Sequence, residues 1–466
     1  MNLKPAGVVS VSSLLLPAEQ AAELAARFAD AVPPLTATQA LLEAERCLYC
    51  FDAPCARACP TQIDIPSFIR RIADANLRGA AQAILDANPL GGMCARVCPT
   101  EDLCEKVCVR NTQQGVPVAI GRLQRHAVDA LMRSPRPQVF QRAAPVGRRV
   151  AVIGAGPAGL ACAHTLARQG YDVEMFDARA KPGGLNEYGL AAYKTTGDFA
   201  QKEVAWLLSI GGITLHNGWR LESALQLQAL RAEFDAVFLA IGLADTHTLG
   251  IPGETLYGVD DAVDFIAALR QARHLEQIPI GRRVVVIGGG MTAVDAAVQA
   301  SLLGAEQVTI VYRRGASSMS ASKEEQDWAQ THGVTIRHWL APEEVLGAQG
   351  KVQAVRLARQ TLREGRLAST GETEMLQADM VLKAIGQTLG NPWLRDAGLE
   401  LAQGRIVADE QGRTALPGVW AGGDCIGGLE LTVEAVEHGK RAAHSIHAQL
   451  SAAGAAAVQH RGLSHG

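Results

Sequence analysis

Eight of the ten cysteines in this 466-residue chain lie between Cys47 and Cys108 and fall into two batches. The first is Cys47-x2-Cys50-x4-Cys55-x3-Cys59-Pro60, and the second is Cys94-x3-Cys98-Pro99-x4-Cys104-x3-Cys108. A C-x2-C turn lets two thiolates reach one centre, and thiolates are the soft ligands that iron–sulfur clusters and zinc select. Zinc in all-cysteine sites generally takes C-x2-C pairs on both sides, and only one such pair is present. The spacing therefore points to iron–sulfur chemistry. By count, eight thiols fill two four-thiolate clusters, which would make Cys94 a ligand.

Two Gly-rich turns supply the second chemical signal. Gly154-x-Gly156-xx-Gly159 follows the apolar run Val150–Ile153 and opens a helical stretch. In that context the glycines let the backbone approach a pyrophosphate on the helix N-terminus. Asp177 closes the next apolar run, where an acid holds ribose hydroxyls. The turn Lys181-Pro182-Gly183-Gly184 resembles the one beside FAD in flavoproteins with two dinucleotide sites. Ala421-Gly422-Gly423-Asp424 resembles the Gly-Asp motif of the same proteins, and the helix expected from Thr432 would aim its positive end at a reduced flavin. The second turn, Gly288-x-Gly290-xx-Ala293, leads to a strand ending Tyr312-Arg313-Arg314 with no acid at the ribose position. Arginines there suit a 2′-phosphate and so lean toward NADPH, the alternative being that both lie on a solvated face.

A nicotinamide site beside an FAD site implies hydride transfer from NAD(P)H to the flavin. Disulfide reductases then use a cysteine pair near the flavin, yet no cysteine lies between Met291 and Ile385. Cys162 and Cys425 are single, and each reads most simply as a small buried residue. The remaining exit is the Cys47–Cys108 region, through which electrons leave one at a time. Nothing in this step calls for a general acid or base, so no catalytic side chain is expected; the protein orients the two rings.

The elements that must position these groups follow from composition and periodicity. The net charge is −3 and hydrophobic residues make up 48%, so ordinary globular cores are expected and nucleic acid or an anionic membrane is not. No stretch approaches 18 uninterrupted apolar residues, so no transmembrane helix is expected. The N-terminal MNLKPAGVVSVSSLLLPAEQ lacks the apolar core and small-residue cleavage site of a secretory signal, which with the clustered cysteines points to the cytoplasm. Residues 18–46 read as two helices broken at Pro33-Pro34, the second capped by Thr36 or Thr38. Helical periodicity recurs over 66–87 and 118–133, followed by a Pro-rich linker at 134–147. The strand–turn–helix–strand texture from Arg148 returns at 282, an internal repeat that predicts two nucleotide-binding domains. The fold class expected is α/β, with two Rossmann-like dinucleotide-binding domains preceded by an α-helical iron–sulfur domain. The domains expected are the helical one over 1–147, a discontinuous FAD domain over 148–254 and 389–450, and an NAD(P) domain over 255–388. The small, polar tail over 451–466 is expected to be disordered.

From about 40 to 450 the chain resembles the FAD/iron–sulfur module shared by glutamate synthase small subunits and the N-terminal half of dihydropyrimidine dehydrogenases. The run Cys98-Pro-Thr-Glu-Asp-Leu-Cys104 carries that resemblance without separating the branches. Ile120-Gly-Arg-Leu-Gln124 is similar to the dehydrogenase branch, in which this Gln is a cluster ligand, and within it to electron-input subunits of bacterial two-subunit NAD-dependent enzymes. The resemblance implies two [4Fe-4S] clusters, one on Cys47, Cys50, Cys55 and Cys108, the other on Cys59, Cys98, Cys104 and Gln124, and so leaves Cys94 out. Asp177 stands where the family usually has Glu, and Lys194 where the dehydrogenase has an Arg near FAD. The loop after Arg314 lacks a further basic residue, which weakens the lean toward NADPH, and the bacterial two-subunit enzymes the chain resembles are NAD-dependent. The function implied is NAD(P)H oxidation, with electrons delivered to an FMN-containing catalytic subunit that reduces uracil or thymine, in a heterotetramer serving pyrimidine catabolism. The competing readings are an NADPH-dependent glutamate synthase small subunit and a non-catalytic redox sensor or zinc-stabilised interaction module.

Overall fold

The computed structural model describes residues 18–463, so the N-terminal segment read above for a signal lies largely outside the described residues. Among the described residues, eight helices precede the first strand. They are α1 (Ala18–Arg27), α2 (Ala37–Glu45), α3 (Pro54–Ala58), α4 (Ile65–Ala73), α5 (Leu77–Ala87), α6 (Gly91–Val97), α7 (Val109–Gln114) and α8 (Ile120–Met132). Thr36 caps α2 through a capping box with Gln39, its hydroxyl accepting the Gln39 N–H at 3.2 Å. The single helix expected over 66–87 is instead two. Ala75 takes a left-handed φ of 57°, and the Asn76 side chain accepts the Gly79 N–H at 2.9 Å, which caps a new helix. Each cysteine batch sits where a short helix begins or ends: Cys59 ends α3, Cys98 ends α6, and Cys108 precedes α7.

The stretch expected as a linker, 134–147, contains no helix or strand, but it is firmly held. Arg78 donates to the carbonyls of Arg136 and Gln138, and the Trp206 indole N–H donates to Pro137 at 3.0 Å. Phe140 is buried edge-on against His164 and Trp206.

Then come β1 (Arg149–Ile153), α9 (Pro157–Arg168), β2 (Asp172–Asp177), α10 (Leu185–Tyr188), α11 (Phe199–Leu208), β3 (Ile213–Asn217), α12 (Ala224–Glu233), β4 (Ala236–Leu239) and β5 (Asp245–Thr246). The next stretch holds β6 (Val259–Asp261), α13 (Ala262–Gln271), β7 (Arg283–Ile287), α14 (Met291–Leu302), β8 (Gln307–Tyr312), α15 (Lys323–Thr331) and β9 (Val334–His338). It continues through β10 (Leu340–Ala348), β11 (Lys351–Arg363), β12 (Arg366–Gln377) and β13 (Met380–Lys383). The chain closes with β14 (Gln387–Thr388), α16 (Trp393–Asp396), β15 (Leu401–Ala402), β16 (Arg405–Ile406), β17 (Val419–Ala421) and α17 (Thr432–Leu463).

The chain divides into two compact units. One comprises residues 30–249 and those from Ile385 onward. Its parallel sheet has the order β17-β4-β1-β2-β3, and because helices cover both faces β4 is buried at every position. In it α17 packs on α9 so closely that a Cβ on Gly439 would lie 2.1 Å from the Ala158 carbonyl. The other unit comprises Gly250–Ala384 and α1, which groups with it rather than with the helices that follow. Its parallel sheet, β6-β13-β7-β8-β9, repeats the same arrangement, and the antiparallel sheet β10-β11-β12 is built beside it. The tail expected to be disordered from 451 is helical to Leu463, in keeping with an Ala-rich composition of high helix propensity. Residues 464–466 lie outside the described residues.

Candidate redox centres

Cys47, Cys50, Cys55 and Cys108 line one cavity, with apolar walls that include Ile65, Ile69, Val118 and Ile120. Although α4, α5 and α6 separate Cys55 from Cys108 along the chain, the fold returns Cys108 to the other three thiols. Burial, with the neighbouring thiols Cys47 and Cys108 adding to it, pushes the Cys55 thiol up to about 11. Cys47 is raised by the same causes, burial first, then Cys50 and Cys108. Four thiolates in an apolar pocket repel one another and demand a cationic centre, so this donor set fits a metal cluster.

Cys59, Cys94, Cys98 and Cys104 form the second group. The Cys98 thiol is held well above its ordinary range by the hydrogen bond it donates to the Cys94 sulfur, by burial, and by Cys94, Cys104 and Cys59 nearby. Gln124 is buried on α8, and its amide N–H donates to the Gly91 carbonyl at 2.7 Å. That bond fixes the amide against the first residue of α6, whose other end is Cys98. The two cysteines outside the batches, Cys162 and Cys425, are completely buried single thiols.

The first Gly-rich turn lies where the strand order reverses, between β1 and β4. Gly154 has φ 107°, and a Cβ there would sit 2.2 Å from the Ala240 carbonyl; one on Gly159 would sit 1.9 Å from the Gly154 carbonyl. The Lys181–Gly184 turn docks onto it. The Gly183 N–H donates to Ala155 at 2.7 Å, and a Cβ on Gly184 would lie 2.7 Å from the Gly156 Cα. The Gln201 amide braces that turn by donating to Pro182 at 2.7 Å. These side-chain-free surfaces leave a backbone cradle of the kind a pyrophosphate requires.

Asp177 ends β2, but its carboxylate already accepts two backbone N–H groups, from Ala155 and Arg179, both at 2.7 Å. It braces the Gly-rich turn from the end of β2. Asp424 is half-buried beside Gly423, and burial, with Glu430 adding to it, pushes its carboxyl up to about 6. Thr432 begins α17 and donates to Asn186 at 2.9 Å, which ties the helix start to α10. Lys194 is half-buried between α10 and α11.

In the second unit, Gly288 repeats the geometry of Gly154: φ is 150° and a Cβ would lie 2.1 Å from the Ala384 carbonyl. Gly290 precedes α14, and Ala293 is buried within it. The Tyr312 ring fills the place beneath Gly289, where a Cβ would come within 2.5 Å of it. Arg313 and Arg314 are exposed beyond the end of β8, and neither has an ion-pair partner among the described residues.

Sequence reasoning passed over three side chains. Asn186 is buried where it meets Thr432. The His438 ring nitrogen accepts the Gly423 N–H at 3.2 Å, and burial keeps that imidazole neutral by lowering its pKa. Glu203 is buried against α6. An acid within Phe199–Leu208, a helix that is apolar apart from it and its neighbours Gln201 and Lys202, was the available signal for the last.

The chain belongs to the pyridine nucleotide-disulphide oxidoreductase family, which it matches over residues 148–439. It is an oxidoreductase, and that family implies FAD and a pyridine nucleotide. Residues 24–135 match dihydropyrimidine dehydrogenase domain II, 4Fe-4S cluster. Among its relatives is the NAD-dependent dihydropyrimidine dehydrogenase subunit PreT of Escherichia coli (strain K12), 37% identical over 424 residues, covering 90% of this chain and 97% of that one. The glutamate synthase (NADPH) small chain of the same organism is 33% identical over 441 residues, covering 90% and 93%. FprA from Mycobacterium tuberculosis shares the fold, with a TM-score of 0.55 at 22% identity over 66% of this chain and 86% of that one. So does the thioredoxin reductase of T. acidophilum, with a TM-score of 0.52 at 23% identity over 65% and 99%.

Proposed function

We propose that this chain is an NAD(P)H-oxidising flavin/iron–sulfur subunit that delivers electrons to an FMN-containing subunit reducing uracil or thymine to 5,6-dihydropyrimidines. The observation that carries the electron-transfer part is the cavity lined by Cys47, Cys50, Cys55 and Cys108, in the same compact unit as the FAD turn. The pyrimidine part rests on likeness to the PreT subunit along 97% of its length. FAD, when bound, converts two-electron hydride chemistry into single-electron steps. The chain's own residues bind and orient: Gly154, Gly156, Gly159, Gly183 and Gly184 seat the pyrophosphate, while Asp424 and Thr432 face the flavin end.

The ligand division proposed is Cys47, Cys50, Cys55 and Cys108 for one [4Fe-4S] cluster and Cys59, Cys98, Cys104 and Gln124 for the other. Ligands on different irons of one cube must spread apart, whereas the Cys94 thiol hydrogen-bonds that of Cys98. The pair therefore suits one ligand and one supporting thiol, which supports Gln124 over Cys94. The proposed domains are the helical one to 147, FAD over 148–254 and 389–450, and NAD(P) over 255–388. Among the described residues no helix is long and apolar enough to cross a membrane, and the proposed compartment is the cytoplasm.

Mixing the purified chain with an FMN-barrel subunit tests the reading. NAD(P)H-dependent reduction of uracil only in the mixture supports it, and full turnover by this chain alone rejects it. Activity with a glutamine-dependent synthase subunit instead would select the glutamate synthase reading.

A further inference from the structure

Between the helix that carries Cys98 and the flavin-side part of the fold lies a carboxylate that the electron path as proposed does not use. Glu203 of α11 is 1% exposed. Its Oε1 accepts the N–H groups of Gly92 at 2.8 Å and Met93 at 3.1 Å, two of the orphan donors in the first turn of α6. Oε2 makes a longer, 3.3 Å contact with the Met93 N–H. Gly92 has to be glycine, because a Cβ would lie 2.5 Å from the Phe199 ring and 2.7 Å from Oε1. Arg96 of α6 completes the contact, with its guanidinium 3.4 Å over the centre of that ring.

The charged groups facing Glu203 are Arg96 of α6 and Asp129 of α8, which pair with each other at 2.7 Å. Arg125 and Asp30 form a second pair behind Asp129. From α9, His164 is kept neutral by burial, which lowers its pKa to about 3, and Arg168 pairs with Asp86. Three cations are thus matched by three other carboxylates, and an ionised Glu203 is a surplus negative charge in a buried place. Burial accordingly pushes its carboxyl up to about 8, despite the two amide bonds and Arg96, which act the other way.

Resting on the cluster assignment above, we infer that Glu203 is a positioning residue that clamps α6 to α11 and takes up a proton when an electron arrives at the Cys98 end of α6. The step balances as one electron, from NAD(P)H by way of the flavin, and one proton from solvent, which forms an O–H bond on Glu203. Oε1 keeps both amide bonds and Oε2 carries the proton. Seven helical residues span about 10 Å, and at an effective dielectric of about 20 two charges that far apart alter proton affinity on the order of tenfold.

The test is a redox titration of the full, cluster-loaded chain followed by electron paramagnetic resonance between pH 6 and 10. In the wild type, the midpoint of one cluster falls with rising pH by about tenfold in its reduction equilibrium, ~59 mV in total for one electron. Glu203→Gln keeps an oxygen for the two amides, and is expected to retain iron and signal while losing the pH dependence. Glu203→Leu loses the clamp, and is expected to lower the unfolding temperature and the iron content as well. A pH-independent wild type, or a Glu203→Gln protein that keeps the wild-type slope, overturns the inference. No cluster signal in any of the three proteins overturns the cysteine assignment itself, and this inference with it.

Discussion

At the scale of single residues, the site separates side chains that bind from side chains that hold other groups in place. Asp424 shows how a binding residue costs stability. Its carboxyl is raised from 3.8 to about 6, so the folded chain holds that proton more tightly than the unfolded chain does. Stability from this group is therefore fully present below pH ~4 and is lost as the pH rises toward 6. In flavin-free protein, Asp424→Asn should raise stability at pH 7 by ~1–3 kcal/mol, with the gain disappearing near pH 4; urea unfolding at the two pH values measures this. The same variant should hold FAD more weakly. For the ligands, Cys94→Ser should keep the full iron content and Gln124→Ala should lose about half, which iron analysis decides. The eight cysteines, the glycines and Asp424 were legible in the sequence because their chemistry depends on residue type and spacing. The bracing role of Asp177 was not, because bonds from Ala155 and Arg179 depend on how a turn folds back on its strand.

At the scale of elements, close backbone approach matters more than any single hydrogen bond. Gly159 and Gly439 both lie where a methyl group would strike a carbonyl oxygen, at 1.9 and 2.1 Å. Gly439→Ala should push α17 away from α9, cost ~1–3 kcal/mol and lower bound FAD, because Gly423 and His438 move with that helix. Flavin absorbance per protein and the unfolding temperature report both effects. Continuous apolar runs and period-3.6 patterning reveal β1, α9, β2 and their repeat, since those strands are covered on both sides. The same patterning runs α4 and α5 together. A single left-handed residue, Ala75, followed by an Asn cap interrupts the helix without interrupting its apolar face. The tail departs from expectation for the opposite reason, because small residues suggest a linker while alanines favour a helix.

At the scale of the molecule, the proposed function puts hydride acceptance and electron delivery in different parts of one chain, so damage to one should spare the other. Cys55→Ser, at the wall of the first cavity, should leave NAD(P)H bleaching of the flavin near its wild-type rate. Delivery to the proposed FMN-containing subunit should fall by about 10–100-fold, the order seen when groups that hold a metal site are lost. Stopped-flow absorbance with steady-state turnover separates the two.

The pairing of Val419 with Val237 sets a schedule for making the protein. In chain order the unit over Gly250–Ala384 is inserted between β4 and β17, and the strands before and after the insertion, β5 and β14, are neighbours, with Thr246 opposite Gln387. A ribosome adding about 5–20 residues per second needs on the order of 10–40 s to pass from one partner strand to the other. During that interval β4 presents a bare edge, the kind of surface that recruits foreign strands. The inserted unit meanwhile already has every strand of its own sheets. It can finish folding first, and the flavin-binding sheet becomes the last part of the nascent chain to close.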